Sequence, residues 1–266
     1  MDLQLKGKRA LVTGSSGGIG KAIALVLAQE GAIVGIHGRN QEKADGVARE
    51  ITEGGGKAFV AIGDLATDEG AKQVFDIAIA AVEGVDILIN NAGEFHARGW
   101  MDTPPDAWAS VYNTNVISIV RMIQLLVPQM KELRWGRIIN ISSVTGSQPF
   151  PRWPDYGASK AAVANLTVSL AKELKETGIT VNSVSPGTTM SDGAMPFFDA
   201  AIGEASLNDS AKLEQQVLEK LLYNPTGQVG HVEDVADLCT FLASPRARFI
   251  NGANLRIDGG GAVGVN

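Results

Sequence analysis

Apolar and polar positions along the chain alternate between two patterns. Short runs rich in Val, Ile and Leu predict β-strands, and the longer segments between them have the periodicity of amphipathic helices. The predicted strands cover residues 9–13, 32–37, 57–63, 85–90, 136–140, 180–185 and 253–258. The predicted helices cover residues 19–30, 41–53, 68–82, 105–133, 156–176 and 232–243. This alternation indicates an α/β fold with a doubly wound parallel sheet and helices on both faces.

The alternation continues through the whole chain. No linker rich in Ser, Gly or Pro and no internal repeat interrupts it, so we expect a single domain over residues 1–266. Residues 186–230 are less regular, with three of the ten prolines and scattered polar residues. Because ligands of such sheets bind beyond the carboxyl ends of the strands, we predict that a flap of about residues 188–228 covers a binding site.

A glycine-rich turn, Thr13 to Gly20, follows the first predicted strand and leads into a helix. The first glycine permits the sharp turn, the second lets the main chain approach a phosphate, and the third permits close packing of the helix. Free N–H groups at the start of the helix attract an anion. The turn therefore predicts a Rossmann-like dinucleotide site, formed by Gly14, Ser16, Gly18, Ile19 and Gly20.

Two other glycine motifs can be compared with this turn. A P-loop needs four residues before its Gly-Lys pair, whereas five residues separate Gly14 from Gly20 here. The turn does match the nucleophile elbow of hydrolases, with Ser16 as nucleophile, but such an enzyme needs an acid and a histidine later in the chain. The later histidines, His96 and His231, have no local signature, so hydrolysis remains the weaker alternative.

The end of the second predicted strand, His37-Gly38-Arg39-Asn40, bears on the choice of nucleotide. An acidic residue about 20 positions beyond the glycine turn would hydrogen-bond the ribose of NAD. No carboxylate stands there, whereas the Arg39 guanidinium can form a bidentate pair with a 2′-phosphate. We therefore favour NADP(H) over NAD(H), and a solvent-exposed arginine without a ligand is the alternative.

Composition and charge narrow the class of protein and its expected location in the cell. Glycine is abundant, 31 of 266 residues, yet a hydrophobic content of 45% excludes a disordered or collagen-like chain. A net charge of −6 offers no broad basic surface for nucleic acid or membrane. The single cysteine, Cys239, excludes a disulfide framework within the chain and is expected to be buried. With no signal peptide and no membrane-spanning apolar stretch in the sequence, we expect a cytoplasmic protein.

Several polar residues should meet at the carboxyl edge of the sheet. Tyr156 and Lys160 are four residues apart, on one face of a predicted helix. Ser143 ends the strand that precedes this helix, and Asn91-Ala92-Gly93 and Pro186-Gly187 each follow another strand. The order and spacing of these groups carry more information than any one of them, because a Tyr-Lys pair at this spacing occurs by chance in many helices.

With these residues in place, the sequence resembles the short-chain dehydrogenase/reductase family in its common single-domain form. The resemblance covers nearly the whole chain and rests on TGSSGGIG, Asp64-Leu65, NNAG, Asn115, Ser143, YGASK, Pro186-Gly187 and Asp258-Gly259-Gly260. It implies one dinucleotide-binding and catalytic domain and an NAD(P)-dependent enzyme, and we assign no metal ligand. It also implies cofactor contacts at Asp64, Leu65, Asn91, Ala92, Gly93, Tyr156, Pro186, Gly187 and Thr189.

The sequence departs from the family pattern in two places. A threonine often found five residues after Pro186 is Ser191 here, so a hydroxyl is kept. The branch of the family that uses NADP often has a basic residue inside the glycine turn, where this chain has Ser-Ser-Gly. We therefore expect Arg39 to carry most of the phosphate recognition.

The central residues suggest acid–base chemistry. A free tyrosine has a pKa of about 10, and we expect the Lys160 ammonium and the positive nicotinamide to lower that of Tyr156. Tyr156 would then exchange a proton with a carbonyl or alcohol oxygen that Ser143 also hydrogen-bonds, while the nicotinamide exchanges a hydride. The resemblance adds that Lys160 also binds the nicotinamide ribose and that Asn115 holds a water in a proton relay.

An apolar wall with a few polar anchors is expected around the substrate. The candidates are Glu94, Phe95, His96, Trp153 and residues 190–198, which include Phe197 and Phe198. They do not distinguish a ketoacyl thioester from a sugar, a steroid or a small ketone.

Two other functions remain alternatives: an NAD(H)-dependent dehydrogenase of the same family and a non-enzymatic nucleotide-binding sensor. The resemblance also implies a homotetramer or homodimer formed through the helices near 105–133 and 156–176.

Overall fold

The computed structural model describes residues 1–195, 198, 214–217, 219 and 224–264. The strands are β1 (Arg9–Val12), β2 (Ile33–Gly38), β3 (Lys57–Ile62), β4 (Ile87–Asn90), β5 (Gly136–Ile141), β6 (Ile179–Pro186), β7 (Thr189–Met190), β8 (Gly230–His231) and β9 (Asn254–Ile257). The α-helices are α1 (Gly18–Gln29), α2 (Gln41–Glu53), α3 (Asp68–Val82), α4 (Pro105–Tyr112), α5 (Ser118–Leu133), α6 (Pro154–Glu173) and α7 (Val232–Ala243). The predicted order of strands and helices is confirmed, and the outer ends of the predicted elements lie within three residues of the observed ones. The short strands β7 and β8 were not predicted, and the single helix predicted over residues 105–133 is divided into α4 and α5.

Seven strands form one parallel sheet in the order β3-β2-β1-β4-β5-β6-β9. The chain builds outward from β1 to β3, returns past β1 to β4, and then builds outward in the other direction. Helices cover both faces, so the predicted single-domain, Rossmann-like fold is confirmed. The order of strands reverses between β1 and β4, which leaves a crevice at their carboxyl ends.

The two faces of the sheet bury separate apolar layers. In β1, Ala10 and Val12 point to the layer that contains α1 and α7, and Leu11 points to the opposite layer, where Met122 of α5 is fully buried. A strand buried on both faces has a continuous apolar sequence, which explains the pattern of β1. Cys239 is fully buried in the first layer, as predicted.

A small two-stranded sheet lies beyond the carboxyl end of β6. Thr189 pairs with Gly230 and Met190 with His231, so the two ends of the intervening segment lie side by side. The predicted flap, residues 188–228, is described only in part, because residues 196, 197, 199–213, 218 and 220–223 lie outside the described ones. Within the part of the chain that the structure describes, none of the helices combines the length and apolar character needed to cross a membrane.

Candidate active site

One cleft runs along the carboxyl ends of β1, β4, β5 and β6. Its cavity volume is about 920 Å³, near the upper end of the range of about 300–1,000 Å³ for small-molecule sites. Most of the residues predicted for catalysis or cofactor binding line it together: Gly14, Ser16, Gly18, Ile19, Gly20, Asn91, Gly93, Ser143, Tyr156, Lys160, Pro186, Gly187 and Thr189.

The other predicted site residues lie outside the lining of this cleft. Arg39 and Asp64 are exposed just beyond the ends of β2 and β3. The Leu65 side chain is buried in the core, so its side chain is not available to a ligand. Ala92 lies behind the glycine turn, where its N–H donates to Thr13 Oγ1 at 3.0 Å. Asn115 is fully buried.

The glycine turn has a shape that only glycine permits at two positions. Gly14 has a positive φ of 64°, and a Cβ there would lie 2.9 Å from Ala92 Cα. A Cβ on Gly20 would lie 2.4 Å from the Gly14 carbonyl oxygen, because α1 packs directly against the turn. This close packing places the N-terminus of α1 at the cleft, where its free N–H groups fit the phosphates of a dinucleotide.

Thr13 and Asn91 join the turn to β4. Thr13 Oγ1 accepts the Asn91 N–H at 2.9 Å, and Asn91 Nδ2 donates to the carbonyls of Thr13 and Gly14 at 3.0 and 3.1 Å. The Asn91 side chain therefore ties neighbouring strands together and also lines the cleft. Its contribution to the site is to hold the turn against the end of β4.

Tyr156 lies in the first turn of α6, which begins at Pro154. A proline at this position has a φ already suited to a helix and no N–H to leave unpaired. The phenol lies close enough to the Ser143 hydroxyl for the two groups to interact, and both residues line the cleft. Burial raises the pKa of Tyr156, and the interaction with the Ser143 hydroxyl offsets only part of this effect. The expected lowering of this pKa is not found in the chain alone, where Lys160 is not among the causes of the shift, and the lowering expected once the positive nicotinamide is bound stays a prediction.

Lys160 lies one turn further along α6. Its Nζ is 5.6 Å from the centre of the Tyr156 ring and donates a hydrogen bond of 2.8 Å to the Ile141 carbonyl. Only 4% of the residue is exposed, and burial lowers the pKa of Lys160 to about 8. The ammonium group is thus held between the end of β5 and the phenol.

Asn115 lies in a π-helical turn, Asn113–Ile117, which joins α4 to α5 within the predicted helix 105–133. Its Oδ1 accepts the Glu94 N–H at 2.8 Å, and its Nδ2 donates to the Glu94 carbonyl at 2.9 Å and to Ser159 Oγ at 3.0 Å. Both amide hydrogens are used within the protein. The side chain therefore fixes the loop after β4 against α6. A relay water at this residue would have to hydrogen-bond to the remaining lone pair of Oδ1 or to the main chain.

Aromatic rings form one wall of the cleft, as predicted. Phe95 packs against Tyr156 with ring centres 5.7 Å apart, Phe150 packs against Trp153 at 5.5 Å, and Phe198 also lines the wall. Glu94, Ser191 and Asp192 add polar groups to the cavity surface. His96 does not line the cleft and is 3.9 Å from a Glu94 oxygen, and the predicted Phe197 lies outside the described residues.

Among the residues that the sequence analysis missed are Lys43 and His37, near the nucleotide end of the cleft. Lys43, in the first turn of α2, lines the cleft. His37 is buried behind the glycine turn, where its ring is within hydrogen-bond distance of Gly14 and Gly63. The position of Lys43 at a helix start, four residues after Arg39, could have suggested a second cation at this site. No local pattern identifies His37 as part of the site.

The fold and the cleft together define a Rossmann-fold oxidoreductase that uses a dinucleotide. The family model described as short chain dehydrogenase matches residues 8–201. The 3-oxoacyl-[acyl-carrier-protein] reductase FabG of Staphylococcus aureus (strain N315) is 37% identical over 254 residues, which cover 95% of this chain and 97% of that one. The chain belongs to the short-chain dehydrogenase/reductase family and is an NAD(P)-dependent dehydrogenase or reductase.

Two solved structures are similar over almost their whole length. L-Sorbose reductase from Gluconobacter frateurii, complexed with NADPH and L-sorbose, has a TM-score of 0.93 at 30% identity and covers 100% of both chains. A 7α-hydroxysteroid dehydrogenase complexed with NADH and 7-oxo glycochenodeoxycholic acid has a TM-score of 0.86 at 31% identity, with 100% of this chain and 98% of that chain covered. The two similar folds thus hold different nicotinamide cofactors and very different substrates.

Proposed function

We propose that this protein is an NADP(H)-dependent oxidoreductase that interconverts a carbonyl compound and a secondary alcohol. The observation that carries the proposal is that the hydroxyl-bearing side chains of Tyr156 and Ser143 line the same cleft, with the buried Lys160 beside the phenol. Two hydroxyl groups that converge on one cavity can both hydrogen-bond a single substrate oxygen. The nicotinamide, when bound, supplies or accepts the hydride.

The residues of the chain divide the proton chemistry between them. Tyr156 donates its phenolic proton to the carbonyl oxygen during reduction and accepts a proton from the alcohol during oxidation. Ser143 donates a hydrogen bond to the same oxygen and stabilises the charge that develops there. Because burial raises the pKa of Tyr156, the chain itself favours the protonated phenol, which is the form needed for reduction. In oxidation, the positive nicotinamide would have to favour the phenolate.

Replacing the phenol tests this assignment. We expect Tyr156→Phe to lower the rate of NADPH oxidation by at least about 100-fold with any carbonyl substrate, because the general acid is removed while the ring remains. Tyr112→Phe is the matched control, since the Tyr112 hydroxyl donates to the Ala158 carbonyl and does not line the cleft. The assay is a spectrophotometric screen with ketones, ketoacyl thioesters and sugars. Equal turnover by Tyr156→Phe and the parent would refute the catalytic assignment.

Two cations near the nucleotide end of the cleft support NADP(H) as the preferred cofactor: Lys43 in its lining and Arg39 just outside it. Arg39 follows β2, Lys43 lies in the first turn of α2, and neither side chain makes an ion pair with a described residue. A 2′-phosphate bound at this place would meet both positive charges, with no carboxylate where an NAD site would have one. The similar structure that contains NADPH agrees with this proposal, and the one that contains NADH represents the alternative.

Cofactor titrations test the preference. We expect the parent to bind NADPH more tightly than NADH, and Arg39→Ala to weaken NADPH binding about tenfold while NADH binding changes little, because charge-assisted hydrogen bonds to the phosphate are lost. Arg49→Ala removes a charge from the exposed far end of α2 and should change neither affinity. Fluorescence titration of each variant with both cofactors gives the four dissociation constants. Equal affinities of the parent for NADPH and NADH would contradict the proposal.

The remaining cofactor and substrate contacts follow from the placement of the dinucleotide along this cleft. We assign the phosphates to Gly14, Ser16, Gly18, Ile19 and Gly20, and the nicotinamide end to Asn91, Gly93, Lys160, Pro186, Gly187 and Thr189. We assign the adenine to the loop of Asp64 and Leu65, with Leu65 contributing its main chain only. The segment 188–228 would cover the substrate, since its two ends meet next to Thr189. A homotetramer or homodimer also remains a proposal.

A further inference from the structure

A buried histidine links the glycine turn to the end of β3 through the two nitrogens of its ring. His37 lies near the end of β2, and only 3% of it is exposed. Its Nδ1 accepts the Gly14 N–H at 2.9 Å, and its Nε2 lies 3.1 Å from the Gly63 carbonyl oxygen. Its main chain is also engaged, because the His37 N–H donates to Ser15 Oγ at 2.9 Å and the His37 carbonyl accepts the Ser15 N–H at 2.8 Å.

The two partners of the ring determine its protonation state. An amide N–H can only donate and a carbonyl oxygen can only accept, so Nδ1 carries a lone pair and Nε2 carries the hydrogen. Burial lowers the pKa of His37 to about 4, with the nearby Arg39 acting in the same direction and Asp64 and the Gly63 carbonyl acting against it. The ring is therefore neutral near pH 7, and both of its nitrogens are used inside the protein.

Both peptide groups that flank Gly14 are held by this arrangement, one through its N–H and the other through its carbonyl. His37 accepts from the Gly14 N–H, Asn91 donates to the Gly14 carbonyl at 3.1 Å, and the Gly14 φ of 64° lies in the left-handed region. Gly14 is the first glycine of the turn, so its orientation sets the direction in which the following residues reach the start of α1. The second ring bond reaches Gly63, which directly precedes Asp64 at the end of β3.

We propose that His37 is a positioning residue for the dinucleotide: it does not touch the ligand, but it holds the Gly14 peptide in the orientation that the phosphate-binding turn requires. This inference rests on the proposed placement of the cofactor phosphates at that turn. The side chain acts before any ligand arrives, because a turn that is already ordered loses less conformational entropy on binding. A residue of this kind affects cofactor affinity more than the chemical step, which takes place at Tyr156 on α6.

Two substitutions test the two hydrogen bonds of the His37 ring one at a time. The amide of Asn lies at the same number of bonds from the main chain as Nδ1, so His37→Asn can still accept from Gly14 but no longer reaches Gly63. The amide of Gln lies at the distance of Nε2, so His37→Gln can still donate to Gly63 but leaves the buried Gly14 N–H without an acceptor. We expect His37→Gln to raise the Kd for NADPH about tenfold and His37→Asn to keep it within about threefold of the parent.

The turnover number separates positioning from a general loss of structure. At saturating NADPH, kcat of His37→Gln should stay within about twofold of the parent, while KM for NADPH rises with the Kd. A merely structural role would lower the melting temperature of both variants with no difference between them in NADPH affinity, and that result would overturn the proposal. So would an affinity loss in His37→Asn as large as that in His37→Gln.

A third variant tests the placement of the cofactor independently. Gly17 is the N-cap of α1, its φ of −179° is extended, and a Cβ there would have no neighbour within 4 Å, so Gly17→Asp fits without strain. Its carboxylate should weaken NADPH binding more than tenfold by repelling the phosphates. If Gly17→Asp binds NADPH like the parent, the proposed placement fails. If Gly17→Asp loses affinity and His37→Gln does not, only the role of His37 fails.

The parent protein gives a test that does not depend on the folding of any variant. Nitrogen-15 NMR of the histidine rings should show His37 as the neutral Nε2–H form from pH 6 to 8, with and without saturating NADPH. The Gly14 amide should exchange with solvent slowly in both states, since its hydrogen bond exists before the cofactor binds. A proton on Nδ1, or a Gly14 amide that is protected only after NADPH is added, would overturn the proposal.

Discussion

Burial moves the two ionisable groups of the candidate active site toward their neutral forms. It raises the pKa of the Tyr156 phenol and lowers that of the Lys160 ammonium to about 8. Both shifts have the same cause, the cost of holding a charge away from water, although one group is an acid and the other a base. At the scale of single residues, the site is therefore set up to keep a proton on the phenol.

His37 gives a residue-scale prediction for stability in acid. Its pKa falls from 6.5 in the unfolded chain to about 4 in the folded protein. Below pH 6.5 the unfolded chain binds a proton that the folded protein does not, so the contribution of His37 is complete above pH 6.5 and declines as the pH falls toward 4. Between pH 7.5 and pH 5 we expect a loss of about 2 kcal/mol from this group.

Urea unfolding at the two pH values measures this loss. The parent and His37→Asn share every other titrating group, so the free energy of unfolding should fall more steeply with acid in the parent than in the variant. Parallel pH profiles would show that His37 does not contribute.

At the scale of secondary-structure elements, the contact between α1 and the glycine turn is the closest in the site. A Cβ on Gly20 would lie 2.5 Å from Asn91 Nδ2 as well as 2.4 Å from the Gly14 carbonyl oxygen. Both neighbours are themselves held in place, since Asn91 donates to two carbonyls of the turn. The helix can approach the end of β1 this closely only because residue 20 has no side chain.

Gly20→Ala should therefore destabilise the protein and weaken NADPH binding together. We expect a loss of about 1–3 kcal/mol in the free energy of unfolding, the usual cost of forcing an extra methyl group into a packed contact. The matched control is Gly46→Ala in α2, where a Cβ meets nothing within 4 Å and alanine should stabilise the helix by about 0.5–1 kcal/mol. Thermal and urea unfolding give both values, and an unchanged or more stable Gly20→Ala protein would rule out the packing argument.

The order of strands decides the position of the site at the scale of the whole molecule. Because β1 and β4 are neighbours whose connections leave in opposite directions, a crevice opens between their carboxyl ends, and the turn after β1 and the residues after β4 lie on its two sides. The ends of β5 and β6 extend the same edge to Tyr156 and Thr189. Residues separated by more than 170 positions in sequence thus share one cleft of about 920 Å³.

The sequence by itself determined the elements, the fold class and most of the residues that line the cleft. Hydrophobic periodicity is a local property, so it located the seven strands of the main sheet and the helices to within three residues, but not the short strands β7 and β8 or the break between α4 and α5. The glycine turn and the Tyr156–Lys160 pair are also local patterns, and parallel strands bring their carboxyl ends to one edge whatever the details of packing.

Tertiary structure decided what the individual polar groups do. It placed Leu65 in the core and Arg39 in solvent, used both amide hydrogens of Asn115 inside the protein, and made His37 a link between Gly14 and Gly63. These outcomes depend on which groups meet across the sheet, and His37 lies 23 residues from Gly14. Burial and hydrogen-bond partners set protonation and orientation, and both arise only when distant segments pack together.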